Sequence, residues 1–204
     1  MIRVDAKGTL LFAVITALAV SGCVKAATRE KAPEVAGVPA KDFYPLAVGN
    51  SWSYQVQLLG QKTQIDVKVI KEDNGVFEDS TGAQLFNDAF GVRDQKRYLL
   101  RDPVEVGTEW SNVVSVSSVE RYKIVAANVG CDCPAGHFEG CVVVESINKV
   151  EEGKALVNEL TFAPKIGLVR ISTLLVLADG KKLPQSALEL TKYEVKGAPA
   201  QAPR

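Results

Sequence analysis

Ser51-Trp52-Ser53-Tyr54-Gln55-Val56-Gln57-Leu58 decides the fold. Trp52, Tyr54, Val56 and Leu58 alternate with small or polar residues, the two-residue period of a strand with one face in a core and one in water. Working outward, Gly60 turns the chain into Ile65, Val67 and Val69, a second alternating run. Asn74-Gly75 follows as a hairpin turn, because both positions tolerate positive φ. Further strands are expected over Ala83 to Val92, Lys96 to Arg101, Trp110 to Ser117, Glu120 to Val129, Phe138 to Asn148, Ala155 to Phe162, Leu168 to Leu177 and Ala187 to Val195. Beyond the first 22 residues, no long stretch has a clean helical period. The expectation is an all-β domain, a single antiparallel curved sheet or a half-barrel or barrel of about 9–11 strands.

One spacing occurs twice. Pro45-Leu46-Ala47-Val48-Gly49-Asn50-Ser51-Trp52 and Pro103-Val104-Glu105-Val106-Gly107-Thr108-Glu109-Trp110 share P-x-x-V-G-x-x-W. The expected device is a proline before a glycine turn, then a tryptophan opening a strand with its ring on the core face. A second reading has the paired tryptophans gripping a ligand.

Composition narrows the function. Twenty-four basic residues balance twenty-four acidic ones in 204 residues, so no basic face marks a nucleic-acid partner. His137 is the sole imidazole, and no nucleophile elbow, zinc-protease helix, phosphate loop or dinucleotide fingerprint occurs. No enzyme activity and no cofactor is expected. Cys131, Cys133, His137 and Cys141 are the one tempting ligand set, but a single intervening residue on a strand sets Cys131 and Cys133 about 7 Å apart, too far to share a tetrahedral metal without bending the chain. A disulfide is expected instead: Cys131 to Cys141 across a turn at Pro134-Ala135-Gly136, with Cys133 as the alternative partner. Arg93, Asp94, Lys96, Arg97 and Arg101, with Tyr98 among them, form the densest charge cluster. It reads first as a solvated strand face and second as a surface for an anionic partner.

The chain opens with Arg3 and Lys7 ahead of an eleven-residue apolar run, Leu10 to Val20, broken only by Thr16. A membrane helix needs about 20 residues, so residues 1–22 read as an export signal. Val20-Ser21-Gly22-Cys23 resembles the lipobox of bacterial lipoproteins. That resemblance implies cleavage before Cys23, diacylglyceryl and acyl (palmitate-type) modification of its sulfur and amine, and a membrane partner through the lipid. Val24 in place of aspartate implies sorting to the outer membrane, facing the periplasm. Residues 23–42, with prolines at 33 and 39, are expected to be a tether, residues 43–195 the β domain, and 196–204 a frayed tail.

Three further stretches resemble a group of uncharacterised bacterial secreted proteins and lipoproteins: Tyr44-Pro45-Leu46-Ala47-Val48-Gly49-Asn50-Ser51-Trp52-Ser53-Tyr54, then Pro134-Ala135-Gly136-His137-Phe138-Glu139-Gly140-Cys141, then Ala163-Pro164-Lys165-Ile166-Gly167-Leu168-Val169. Phe162 and Arg170 depart from the tyrosine and lysine of that pattern, and Cys133 from an apolar residue. The resemblance implies a curved sheet similar to the half-barrels of lipoprotein carriers, and no activity. The functional expectation is a non-catalytic envelope lipoprotein that binds an apolar ligand or a partner envelope protein. Trp52, Tyr54, Val56, Trp110 and Tyr122 are the candidate wall of such a site. A structural accessory domain, or a metal or redox role for the Cys/His cluster, is the alternative.

Overall fold

The structure is a computed structural model and describes residues 37–199. Expectations for the export signal, for Cys23 and for most of the tether therefore fall outside the described residues. Twelve strands form one antiparallel, nearly closed barrel-shaped sheet. They are β1 (Ser51–Leu58), β2 (Gln61–Asp73), β3 (Val76–Asp79), β4 (Gln84–Asp88), β5 (Gly91–Arg93), β6 (Tyr98–Arg101), β7 (Glu109–Ser115), β8 (Ser118–Cys133), β9 (Gly136–Glu151), β10 (Lys154–Ala163), β11 (Gly167–Val176) and β12 (Lys182–Glu194). Neighbours in sequence pair as neighbours in space, except that β1 pairs with β12 and β6 has no ladder to β7.

The all-β expectation holds, with a strand count just above the expected range. One extra strand is the four-residue β3, too short to show a period. The other arises because the run Ala83 to Val92 is a hairpin and not one strand. The Asp88 carboxylate accepts hydrogen bonds from the amides of Phe90 (2.9 Å) and Gly91 (3.2 Å), which folds the chain back. A Cβ on Gly91 would lie 2.1 Å from the Leu100 carbonyl oxygen, so only glycine lets β5 approach β6 there.

Antiparallel register gives the barrel two unlike ends. At the end where β1 begins, the inward side chains are large and buried, among them Trp52, Tyr54, Ile124, Phe162 and Leu190. Trp52 Nε1 donates to the Ile166 carbonyl at 2.7 Å and the Tyr54 hydroxyl to that of Leu168 at 3.0 Å, so each ring satisfies its polar atom within the core. Tyr44 packs on Trp52 with ring centroids 5.6 Å apart. A single 3-10 turn, Ala40–Phe43, closes this end, held by the Ala40 amide on Asp102 Oδ1 and the Lys165 amide on the Asp42 carbonyl. Packing therefore starts a few residues before Phe43, and Ala40 is fully buried. Past Val195, the Lys196 amide donates to Asn50 Oδ1 and the Tyr193 hydroxyl to the Pro199 carbonyl.

The repeated spacing is the same device twice. Gly49 and Gly107 both sit at φ 97°, where an L side chain is strained. The Gly49 amide donates to the Val69 carbonyl and the Val69 amide to that of Asn50. Gly107, Ile124 and Thr108 repeat that pair of bonds, all four at 2.9 Å. Each copy thus ties the start of one strand to its neighbour and buries a tryptophan, Trp52 or Trp110.

Candidate functional site

Alternation on the inner face continues past the aromatic residues into a polar band. Arg97 donates twice to Glu120 (2.7 and 3.0 Å), and the Tyr122 hydroxyl donates to the same carboxylate at 2.9 Å. Tyr122 also hydrogen-bonds Ser146, Asn158 Nδ2 donates to Ser146 Oγ at 3.1 Å, and Thr173 Oγ1 to Asn158 Oδ1 at 2.8 Å. This chain of hydrogen bonds crosses the inner face from the seam, the gap between β6 and β7, to β11. Hydrogen bonds from Arg97 hold the Glu120 carboxyl below its ordinary pKa, and Tyr122 adds to the effect. Burial, with Glu120 second, pushes the Tyr122 hydroxyl well up, so it stays a donor.

The band meets the gap between β6 and β7, where side chains replace the missing ladder. Asn112 Oδ1 accepts the Tyr98 amide at 3.0 Å, and Asn112 Nδ2 donates to the Tyr98 carbonyl at 3.1 Å. Trp110 Nε1 donates to that carbonyl at 2.9 Å. A primary amide presents the same donor and acceptor as a peptide group, so one asparagine stands in for a strand residue.

The five aromatic and aliphatic candidates do not form one wall. Trp52 and Tyr54 pack with Tyr44 in the filled end, whereas Trp110 stacks on Tyr122, centroids 5.4 Å apart, beside the seam. Trp110 and Tyr122 border a cleft of about 400 Å³ on β7 to β9, and Val56 is half-buried on β1 above Tyr54.

The opposite end, where β1 finishes and β12 begins, is open. Leu58 and Leu59 are 56% and 80% exposed there. Leu59-Gly60 joins β1 to β2 in a two-residue turn with both φ values positive, 48° and 84°. Such a turn calls for Asn-Gly or Asp-Gly, since a branched side chain at positive φ is strained. Leucine in this place satisfies neither backbone preference nor burial. The Leu59 amide reaches the Gln185 carbonyl, and beside the turn lies a cleft of about 360 Å³ whose apolar surface comes from Leu59, Leu174, Pro184 and Ala187 and whose polar lining is Gln57, Ser172, Thr173, Gln185 and Ser186. That volume lies within the range of ligand sites. Sequence reading missed Leu59, although a leucine before glycine at a hairpin tip is a legible signal.

Cys131 and Cys141 are joined, Cα atoms 6.1 Å apart, and Cys133 remains a thiol whose pKa burial pushes up. The bridge runs diagonally. Cys131 faces Phe138 and Cys141 faces Val129 in the register, because Pro134-Ala135 is a two-residue turn and bulges shift the strands beyond it. The hairpin tip lies against β12, the Ala135 amide donating to the Leu190 carbonyl. His137 is exposed between Asp132 (2.8 Å) and Glu139 (2.9 Å), and those hydrogen bonds, Glu139 first, raise its pKa. Among the described residues no group of three or more Cys, His, Asp and Glu is placed to hold a metal ion.

No family model and no curated protein matches the sequence. A solved structure of a candidate lipoprotein from Parabacteroides distasonis ATCC 8503 is similar over 74% of this chain and 98% of its own, at 13% identity and a TM-score of 0.38. Likeness at that level carries no functional argument.

Proposed function

We propose that the chain is a bacterial envelope lipoprotein, tethered by a lipid on Cys23, that binds an apolar ligand at the open end of its barrel without catalysis. The observation that carries the binding site is Leu59: a leucine held at positive φ and 80% exposed, beside an apolar cleft. Backbone strain and lost burial both count against it, and contact with an apolar molecule would offset both. In this reading Trp52, Tyr54, Trp110 and Tyr122 form the packed base that fixes the strands, and Val56 lies between base and rim. The lipobox supports the anchor: two or three acyl chains hold a protein to a bilayer, where a single myristoyl chain gives only ~10⁴ M⁻¹. Val24 supports the outer membrane, periplasmic side.

A second reading, docking of a partner envelope protein, is favoured by Val113, Val116 and Val119 at the β7–β8 tip, exposed by 70%, 109% and 47%. Protein extracted from its own envelope and analysed by native mass spectrometry decides between the two. An acyl-sized adduct supports the ligand, and a stoichiometric protein partner without adduct supports docking. Detergent-phase partitioning should be lost in Cys23→Ala; partitioning that persists contradicts the anchor.

A further inference from the structure

The charge cluster of residues 93–101 lies at the seam, around a cleft of about 560 Å³ that also touches Ser111, Asn112 and Val113 of β7. Its charges are not equivalent. Arg93 pairs with Asp88 at 2.9 Å and its guanidinium lies 4.1 Å over the Phe86 ring. Arg97 is committed to Glu120. Asp88 further accepts the Tyr98 hydroxyl and two backbone amides, and Asp94 accepts the amides of Lys96 and Arg97. Arg101 stands apart. No carboxylate among the described residues pairs with it, and its Nε is shielded from solvent with no hydrogen-bond partner.

Arg101 is nevertheless held in place. Its guanidinium carbon lies 5.0 Å from the Tyr98 ring centre and 5.8 Å from that of Phe90, within cation–π range. The Tyr98 ring is held by its hydroxyl on Asp88, and the backbone that carries Phe90 is held by its amide on the same carboxylate. Phe90 is 59% exposed, so one side of this aromatic clamp faces the cleft. A guanidinium oriented by two rings, with its Nε shielded and no counter-charge, is arranged to meet an oxyanion through its two terminal nitrogens.

We infer that the seam cleft is a binding site for a carboxylate carried on an aromatic or other apolar body, with Arg101 taking the carboxylate and Phe90 the body. A carboxylate is the choice because Arg93 and Arg97 are already paired with Asp88 and Glu120, which leaves Arg101 as the guanidinium in the cleft without a carboxylate partner. The site is separate from the apolar cleft beside Leu59, and neither depends on the other.

Benzoate is the probe, titrated into the full chain carrying Cys23→Ala and followed by backbone amide shifts. Saturable shifts are expected at Phe90, Gly91, Arg101 and Ser111. Arg101→Gln should weaken binding by about tenfold or more with an unchanged melting temperature, and Arg101→Lys should recover part of the loss. Phe90→Ala should weaken benzoate but leave acetate unaffected. Absent or non-saturating shifts in the parent, or equal benzoate affinity in Arg101→Gln, overturn the site. Phenyl phosphate binding more tightly than benzoate overturns the choice of carboxylate.

Discussion

The β1–β2 turn and the two glycine turns that precede Trp52 and Trp110 lie at opposite ends of the same strands and differ in what their backbones carry. Where β1 begins, Gly49 and Gly107 sit at the same positive φ, and Trp52 and Trp110 are buried with their indole N–H groups satisfied. Where β1 ends, the turn carries a leucine that its backbone disfavours, and the side chain stands in water. Local sequence and backbone geometry agree at Gly49 and Gly107 and conflict at Leu59. Such conflict marks function more often than error.

The largest break in this contrast comes at the filled end. Trp52→Ala should cost about 3–5 kcal/mol, as expected for a buried tryptophan, measured by urea unfolding. A loss below ~1 kcal/mol, the range of surface changes, would mean that this end is not packed as described. At the seam, Asn112→Ala leaves the Tyr98 amide without its partner and should cost about 1–3 kcal/mol. Faster exchange of that one amide, with β1 and β12 still protected, would localise the effect.

Acid acts on the same joint. The Glu120 carboxyl sits below its ordinary value near 4.5, chiefly through Arg97. Its stabilisation is present above the unfolded value and is lost as pH falls through the folded one. Glu120→Gln should therefore flatten the acid limb of a stability–pH curve; an unchanged limb would remove Glu120 from the account. His137 runs the other way. Its pKa is raised above 6.5, so its contribution is complete below the unfolded value and fades as pH rises through the folded one. Its ring resonances should titrate above the ordinary imidazole range, and Glu139→Gln should lower that midpoint.

How much of this was legible follows from what each signal encodes. Alternation along Ser51 to Leu58 states which side chains point inward, and the twice-used P-x-x-V-G-x-x-W states where strands start, so the β class and both buried tryptophans could be read directly. Neither states which strand ends lie side by side. The Arg97–Glu120 pair and the Asn112–Tyr98 latch join residues 23 and 14 apart across a gap without backbone pairing, so no local pattern announces them. Ala83 to Val92 reads as one strand although Asn87-Asp88 and Gly91 are turn residues, and the Asp88 carboxylate on the Phe90 and Gly91 amides is what folds it into a hairpin. The diagonal disulfide depends on bulges, which shift register without altering residue type.

The smallest expected change in stability is the most informative about function. Leu59→Asn places at positive φ the residue that the turn favours and removes the exposed apolar surface. Titration of an environment-sensitive fatty-acid analogue into the full chain carrying Cys23→Ala, with and without Leu59→Asn, tests the open end directly when paired with thermal melts. Saturable binding in the parent, weaker binding in the variant, and a variant that is equally stable or firmer by about 0.5–1 kcal/mol is the expected result. No saturable binding to the folded parent, or a variant that binds equally well, would contradict a ligand site at the open end of this barrel.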